Sequence, residues 1–377
     1  MSLTFLDHIN LGWIWAKTYL PEAKRWHRKR HGQGIRVFYG FDQVPGPGDH
    51  AAGGIVKIQD LQRAYPNCQG DANVLYLVSS ALPHHAVRMA AMAKRAGCAV
   101  VINQNGVAYP GWYGRGWKSH NRTMEKLLHM ADYVFYQSAF CKISADKFLG
   151  KPDCPFEILY NPVDTRVFVP ARERSLPGKR PRLLIAGSHQ SRYRPAVALG
   201  VLQRLLDRFP DARLTIAGRL CWEKDPRIAR RQLERDVEEA GLDGRVRISG
   251  PYSQQQAAGM FQQADLLLHT KYNDPCPRLV VEAMACGLPI VYSATGGVTE
   301  LVGERAGVGI AAKCDWQRDH PPDPGKMAAG AAHVISHWDV FSREARRRAV
   351  VRFDVKPWIR RHQAVFKRLV AQIVKGT

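Results

Sequence analysis

The sequence predicts an α/β protein made of two successive doubly wound units. Three observations carry this. Short apolar runs of strand length alternate with helical patterns, as parallel sheets with helices on both faces require. Residues 165–181 interrupt the alternation with Pro, Arg and Lys and show no period. The chain's 377 residues also exceed what one core usually supports. The expected division is residues 1–178 and residues 179–355.

In the first unit Ile35–Tyr39 reads as a strand. A glycine-rich loop follows, with Pro45-Gly-Pro-Gly48 and Gly53-Gly54, before a helical pattern over Ile55–Tyr65. Val74–Val78, Ala99–Ile102, Tyr133–Tyr136 and Phe156–Leu159 are further strands. Helices are expected over His84–Ala96, Met124–Met130 and Ser144–Phe148. In the second unit the strands are Arg182–Ala186, Arg213–Ala217, Val246–Ser249, Leu266–His269 and Pro289–Tyr292. Its helices are Ala196–Phe209, Arg227–Ala240, Gln254–Gln263 and a helix opening at Leu279. Gly287-Leu-Pro289 ends that last helix by a Gly-then-Pro stop.

The segment Asn273–Val302 holds the most chemistry. Asp274 and Glu282 have seven residues between them. Acids on a short loop and on the helix after it can face one small polar ligand. Ala283, Ala285 and Gly287 let that helix lie close to a sheet. Gly296-Gly297 stands between a strand and a helix, where bare backbone can approach a phosphate at a helix N-terminus. Taken singly, each feature has a plain structural alternative, such as an N-cap or a solvated first-turn acid. Their order along the chain is what one binding site needs.

This segment resembles the donor-site signature of glycosyltransferase family 4, whose members have the GT-B fold. It contains Asp274-x(7)-Glu282, then Ala283-Met-Ala-Cys-Gly-Leu-Pro-Ile-Val291, then Gly296-Gly-Val-Thr-Glu300. Ala131-Asp-Tyr-Val134 with Ser138, Tyr160-Asn-Pro-Val-Asp164, Gly250-Pro-Tyr-Ser253 and Ala264-Asp265 occur in the family's order. The resemblance covers roughly residues 35–355. It implies two Rossmann-like domains facing a central cleft, and a final helix, residues 356–377, that crosses back onto the first domain. It implies a retaining transferase that moves a sugar from a UDP- or GDP-linked donor to an acceptor hydroxyl. Bacterial surface polysaccharide or a lipid-linked glycan is the expected acceptor setting.

Residue by residue, the resemblance implies that Glu282 binds the ribose and that Asp274 meets the transferred sugar. Pro277 stands where the family has Gly and has no N–H for a phosphate. The nearest backbone donors are then Arg278 and Leu279, and Arg278 adds its own charge. The family's phosphate-binding Arg and Lys are replaced in Gly187-Ser-His-Gln-Ser-Arg-Tyr-Arg194: Ser188 stands for the Arg and Tyr193 for the Lys. Arg192 and Arg194 are the substitutes. Asn103-Gln104-Asn105-Gly106 lacks the His of many relatives. Gln104 and Asn105 can hydrogen-bond an acceptor hydroxyl, and Gly53 and Gly54 frame the acceptor side. No metal or other cofactor is expected.

Composition sets the remaining alternatives. Lys and Arg number 55 against 33 acids, a net charge of +22. Residues 341–377 hold 11 bases against 2 acids, and residues 1–36 hold 7 against 2. A solubilising surface, an anionic membrane and nucleic acid all suit such charge. Lys24-Arg-Trp-His-Arg-Lys-Arg-His31 with Trp13 and Trp15 suits a bilayer interface. No nucleic-acid-binding signature appears, so nucleic acid is the weakest partner. A catalytically degenerate scaffold also fits the departures from the family motif. Eight scattered cysteines read as reduced structural thiols. The first twenty residues lack a secretory pattern, so a cytoplasmic protein, peripheral at the inner face of the membrane, is expected.

Overall fold

The computed structural model describes residues 25–26, 34–46, 53–173 and 176–375. The first sheet has five parallel strands: β1 (Val37–Phe38), β2 (Val74–Val78), β3 (Ala99–Gln104), β4 (Tyr133–Tyr136) and β5 (Phe156–Ile158). Their spatial order is the chain order. The described strands contain no reversal of direction. Both faces are nonetheless buried. Leu75 and Leu77 of β2 pack toward α2 (Ala86–Arg95) and α4 (Trp117–Met130), with the single turn α3 (Pro110–Tyr113) between them in the chain. Val74, Tyr76 and Val78 pack with α1 (Gly53–Gln62) and α13 (Val355–Lys375), the helix that ends the described chain. The period-2 alternation of a strand sends one apolar set to each layer.

Helix α13 starts at Val355, where a helix crossing back was expected. Trp358, Val365, Phe366 and Leu369 are buried on the first sheet. Four such side chains contribute roughly 6–12 kcal/mol of gross transfer free energy. His362 lies among them, fully buried. It accepts from the Tyr76 hydroxyl at 3.0 Å, donates to the Trp358 carbonyl at 2.9 Å, and stacks on Phe135. Burial pushes its pKa down to about 3.

The second sheet has six parallel strands: β6 (Arg182–Ile185), β7 (Arg213–Ala217), β8 (Val246–Gly250), β9 (Leu266–His269), β10 (Ile290–Ser293) and β11 (Gly307–Ile310). Their order is β11-β10-β9-β6-β7-β8, so the winding direction reverses between β6 and β9. This sheet is doubly wound, as expected. The helices that flank it are α6 (Tyr193–Leu205), α7 (Pro226–Glu239), α8 (Gln254–Gln262), α9 (Arg278–Ala285), α10 (Val298–Val302), α11 (Pro324–Ser336) and α12 (Trp338–Phe353). The two Ala-Asp motifs have parallel structural roles. Asp132 accepts from the Val100 N–H at 2.7 Å, and Asp265 accepts from the Arg182 N–H at 2.8 Å. Each acid pins the start of a neighbouring strand.

The two connections between the sheets run side by side. The Val163 N–H donates to the Phe353 carbonyl at 2.8 Å, and the Val355 N–H to the Val163 carbonyl at 3.0 Å. Arg346 bonds the carbonyls of Thr165, Phe168 and Ala285 beside them. Of the basic N-terminal stretch, only Arg25 and Trp26 fall within the described residues. Trp26 is buried edge-on against Phe38, and Arg25 lies over the same ring and pairs with Asp42. These two side chains pack on the protein, contrary to a bilayer-facing role. Trp13, Trp15 and the remaining bases up to His31 lie outside the described residues. No described helix is long and apolar enough to cross a membrane.

Candidate functional site

Open parallel sheets bind ligands outside the strand ends at the point where the winding reverses. Here that point lies between the loop after β6 and the loop after β9. The β6 loop turns at Gly187, whose φ of 104° favours glycine. A side chain on Gly218 would strike the Gly187 carbonyl, and one on Gly187 would press on Leu279. The bare backbone thus brings the β6 and β7 loops against the start of α9. Arg194, on the first turn of α6, is buried. Its Nη1 donates to the Ser188 carbonyl at 2.6 Å, while its buried Nε has no protein partner. His189 beside it donates Nε2–H to the Ala217 carbonyl and leaves a buried Nδ1 unpartnered.

The β9 loop carries His269, Lys271 and Asp274. His269 Nε2 and Lys271 Nζ each lie 3.3 Å from Asp274 Oδ2. Burial raises the Asp274 carboxyl, but Lys271, His269 and Arg194 outweigh it and hold the group well below the usual carboxylate range. Burial lowers the His269 pKa despite the pull of Asp274. The result is a fixed carboxylate with two cationic neighbours. Such a cluster can orient sugar hydroxyls and meet phosphate charge in one place.

Glu282 lies on α9, also buried. Its Oε1 accepts from Gln254 Nε2 and Arg278 Nε, both at 2.8 Å. Arg278 also reaches Asp60 of α1, with Nη1 2.6 Å from Oδ2. This corrects the expectation that the Arg278 side chain adds charge at a phosphate: both its acids hold it elsewhere. The backbone N–H groups of Arg278 and Leu279 still open α9. Arg192 requires a second correction. Its guanidinium pairs with Asp236 on α7, half-exposed, and does not join the Asp274 cluster. Ser188 accepts a 3.3 Å bond from Arg219 through its hydroxyl.

Gly296 and Gly297 have a packing reason for their bareness. A side chain at either would collide with the backbone of Asn273–Pro275. The Gly297 N–H donates to the Asp274 carbonyl at 2.8 Å, which fixes the acid's loop. Glu300, the last residue of that turn, spans the domains. It accepts from the N–H groups of Ala139 and Phe140 at 2.7 and 3.0 Å, at the start of α5 (Ala139–Phe148). Ser138, the N-cap of α5, donates to the Pro275 carbonyl at 2.7 Å. The loop holding Asp274 is therefore wedged between the two sheets.

Beside it lies an interdomain cavity of about 260 Å³. Ser79, Ser80, Asn105 and Tyr109 line it from the first domain, and Lys271 and Asn273 from the second. Asn105 Oδ1 and Asn273 Oδ1 are buried acceptors without protein partners. Gln104 sits behind Asn105, its Nε2 on the Asn105 carbonyl and its Oε1 unpartnered. Gly54 packs against Ser80 and Ala81, where a side chain would not fit, whereas Gly53 faces open space. Asn105 thus lines the cavity, with Gln104 behind it and Gly54 behind Ser80. Residues 311–320 pack against Tyr109 and Phe140, which line the cavity. Trp316 seats among Tyr109, Phe140 and Phe148, and Asp319 holds a buried Oδ1 without a partner. Burial raises the Asp319 carboxyl to about 6, against the pull of Lys271 and His320.

Sequence reasoning passed over Lys57, His269, Lys271 and Asp319. Lys57 is fully buried, with Nζ 3.2 Å from Asn103 Oδ1, and burial lowers its pKa to about 7. A lone lysine inside Ile55-Val-Lys-Ile58 was a readable signal for it. His269 and Lys271 stand at the polar end of a wholly apolar strand, a second one.

Residues 171–318 match the family model for glycosyl transferases group 1. The matched stretch covers most of the second domain and is similar to the group 1 glycosyl transferases. Residues 171–318 include Arg194, His269, Lys271, Asp274 and Glu282. Among curated proteins, the chain is 32% identical over 187 residues to D-inositol 3-phosphate glycosyltransferase of Arthrobacter sp. strain FB24, covering 45% of this chain and 43% of that one. The enzyme of the same name from Corynebacterium jeikeium is 31% identical over 129 residues, covering 34% and 30%. The matched segment thus spans less than half of these relatives. Among solved structures, sucrose-phosphate synthase from Thermosynechococcus elongatus superposes with a TM-score of 0.64 at 15% identity, covering 81% of this chain and 75% of that one. HepE of Anabaena, in complex with UDP and glucose, gives 0.62 at 19%, covering 83% and 81%. The two sheets with their helices together have the GT-B fold.

Proposed function

We propose that this protein transfers a sugar from a nucleoside diphosphate sugar to an acceptor hydroxyl, with retention of anomeric configuration. The observation that carries this reading is the gathering of Asp274, Arg194, Lys271 and Glu282 at the winding reversal of the second sheet. Glu282 binds the ribose hydroxyls through its carboxylate. Arg194, whose Nε lacks a partner, and Lys271 meet the diphosphate together with the N–H groups that open α9. Asp274, held ionised, aligns the hydroxyls of the transferred sugar and does not attack it. Stabilising the departing diphosphate is the main electrostatic task. No protein general base is assigned; the departing phosphate accepts the acceptor's proton.

The acceptor enters the cavity beside Asp274. Its unpartnered carbonyl oxygens at Asn105 and Asn273 suit a polyhydroxylated ring that donates hydrogen bonds. The inositol phosphate named for the curated relatives is of that kind. UDP bound to a structural neighbour favours a uridine donor over a guanosine one. A glycan or lipid-linked acceptor at the inner membrane face agrees with the basic residues of α12 and α13. Calorimetric titration with UDP and GDP tests the donor reading. Binding that weakens at least tenfold in Glu282→Gln, about 1.4 kcal/mol, is expected. Nucleotide binding that survives both Asp274→Ala and Glu282→Ala would overturn the site.

A further inference from the structure

Helix α1 belongs to the first domain, yet its inner face governs the site in the second domain. Gly54, Lys57 and Asp60 recur at a spacing of three and share one face. Gly54 abuts Ser80 at the acceptor wall. Lys57 bonds Asn103 at the end of β3. Asp60, only 4% exposed, holds Arg278 across the domain boundary. Arg278 in turn holds Oε1 of Glu282 four residues on. Every group in the series Asp60–Arg278–Glu282–Gln254 is buried or part-buried, and each hydrogen bond is 2.6–2.8 Å.

A glutamate on the first turns of a helix has several rotamers, and only some face a ligand at the strand ends. Arg278 removes that freedom by fixing Oε1, which leaves the second oxygen to the ligand. Arg278 has two anchors only while α1 is seated against α9. We propose that Arg278 is the positioning residue for Glu282 and that Asp60 ties its position to domain closure, so the first domain sets nucleotide affinity without touching the nucleotide. This rests on the reading of Glu282 as the ribose ligand. Linkage makes the coupling reciprocal: a bound nucleotide favours the seated α1 and with it the acceptor wall.

The test is a double-mutant cycle on the full chain, with UDP and GDP as calorimetric probes. Asp60→Asn is expected to raise the Kd about tenfold, within the usual range of coupling energies. In the Glu282→Gln background the same substitution is expected to have no further effect, because the side chain it positions is altered. Asp60→Glu, which keeps the charge, restores most of the affinity. If Glu282→Gln leaves the Kd unchanged, the donor-site reading fails. If Glu282→Gln weakens binding but Asp60→Asn does not, or the two losses multiply, the donor site stands and the coupling is overturned. Asp60→Asn leaves a buried cation with one partner. If it does not fold, Asp60→Leu with Arg278→Met removes that cation, leaves Glu282 held by Gln254 alone, and decides the matter by the same two outcomes.

Discussion

Replacing Lys57 with methionine is expected to stabilise the protein at neutral pH. The lysine is wholly buried, and its pKa falls from 10.5 to about 7. Each unit of such a shift corresponds to about 1.4 kcal/mol. At pH 7 the buried site therefore disfavours the side chain by about 4 kcal/mol relative to the unfolded chain. Methionine has nearly the same length and no charge to desolvate. It loses one hydrogen bond, worth about 1 kcal/mol. That loss orphans nothing, because Asn103 Oδ1 keeps a 2.7 Å bond from Gln137 Nε2. The expected net gain is about 3 kcal/mol, similar to other buried charges replaced by apolar groups of similar shape. The sign with pH follows from linkage. Between pH 7 and 10.5 the unfolded chain holds a proton that the folded chain has released, so native stability rises with pH by about 1.4 kcal/mol per unit. The variant lacks that contribution. Urea unfolding at pH 7 and pH 9 measures both effects. A variant less stable than the native protein at pH 7, or one with the same pH slope, would refute the reasoning.

Further outcomes follow from the same geometry. His189 and His362 each have a pKa pushed down to about 3 by burial, against 6.5 unfolded. Their contribution is complete above pH 6.5 and falls by about 1.4 kcal/mol per unit for each as the pH drops toward 3; His362→Gln should show a shallower acid slope in chemical denaturation. Gly297→Ala forces a methyl group into the Pro275 carbonyl and Ser138 hydroxyl, and should cost about 3 kcal/mol or more in thermal unfolding. Gly53→Ala, facing open space, should be neutral or slightly stabilising in the same assay. Arg192→Gln is expected to leave UDP affinity within about twofold, while Arg194→Gln weakens it about tenfold or more, as for loss of a charge-assisted phosphate contact.

Much of the fold was legible because parallel strands buried on both faces leave continuous apolar runs. Val74–Val78, Tyr133–Tyr136, Arg213–Ala217 and Leu266–His269 match their expected bounds. Boundaries slipped where caps or loops decide them: α5 begins at Ala139, five residues before the expected Ser144, because Ser138 accepts from the Cys141 N–H. The consecutive strand order of the first sheet was not legible, since strand order is set by crossovers and not by local pattern. In the candidate site, the acids of Asn273–Val302 stood in view because their spacing is local. Asp60 did not, because its partner Arg278 lies 218 residues away in the other domain. Arg192 and Arg194 are two residues apart with like chemistry. Only the helix start separates one that faces Asp236 from one buried beside Asp274.

The central claim is that a nucleoside diphosphate occupies the winding reversal of the second sheet. A structure of the protein in complex with UDP or GDP tests it most directly. The account predicts ribose hydroxyls about 3 Å from the Glu282 carboxylate and diphosphate oxygens at similar distance from Arg194. A nucleotide found instead at the opposite strand ends, in the cavity of about 340 Å³ bordered by Arg182, Arg213 and Arg247, would contradict it.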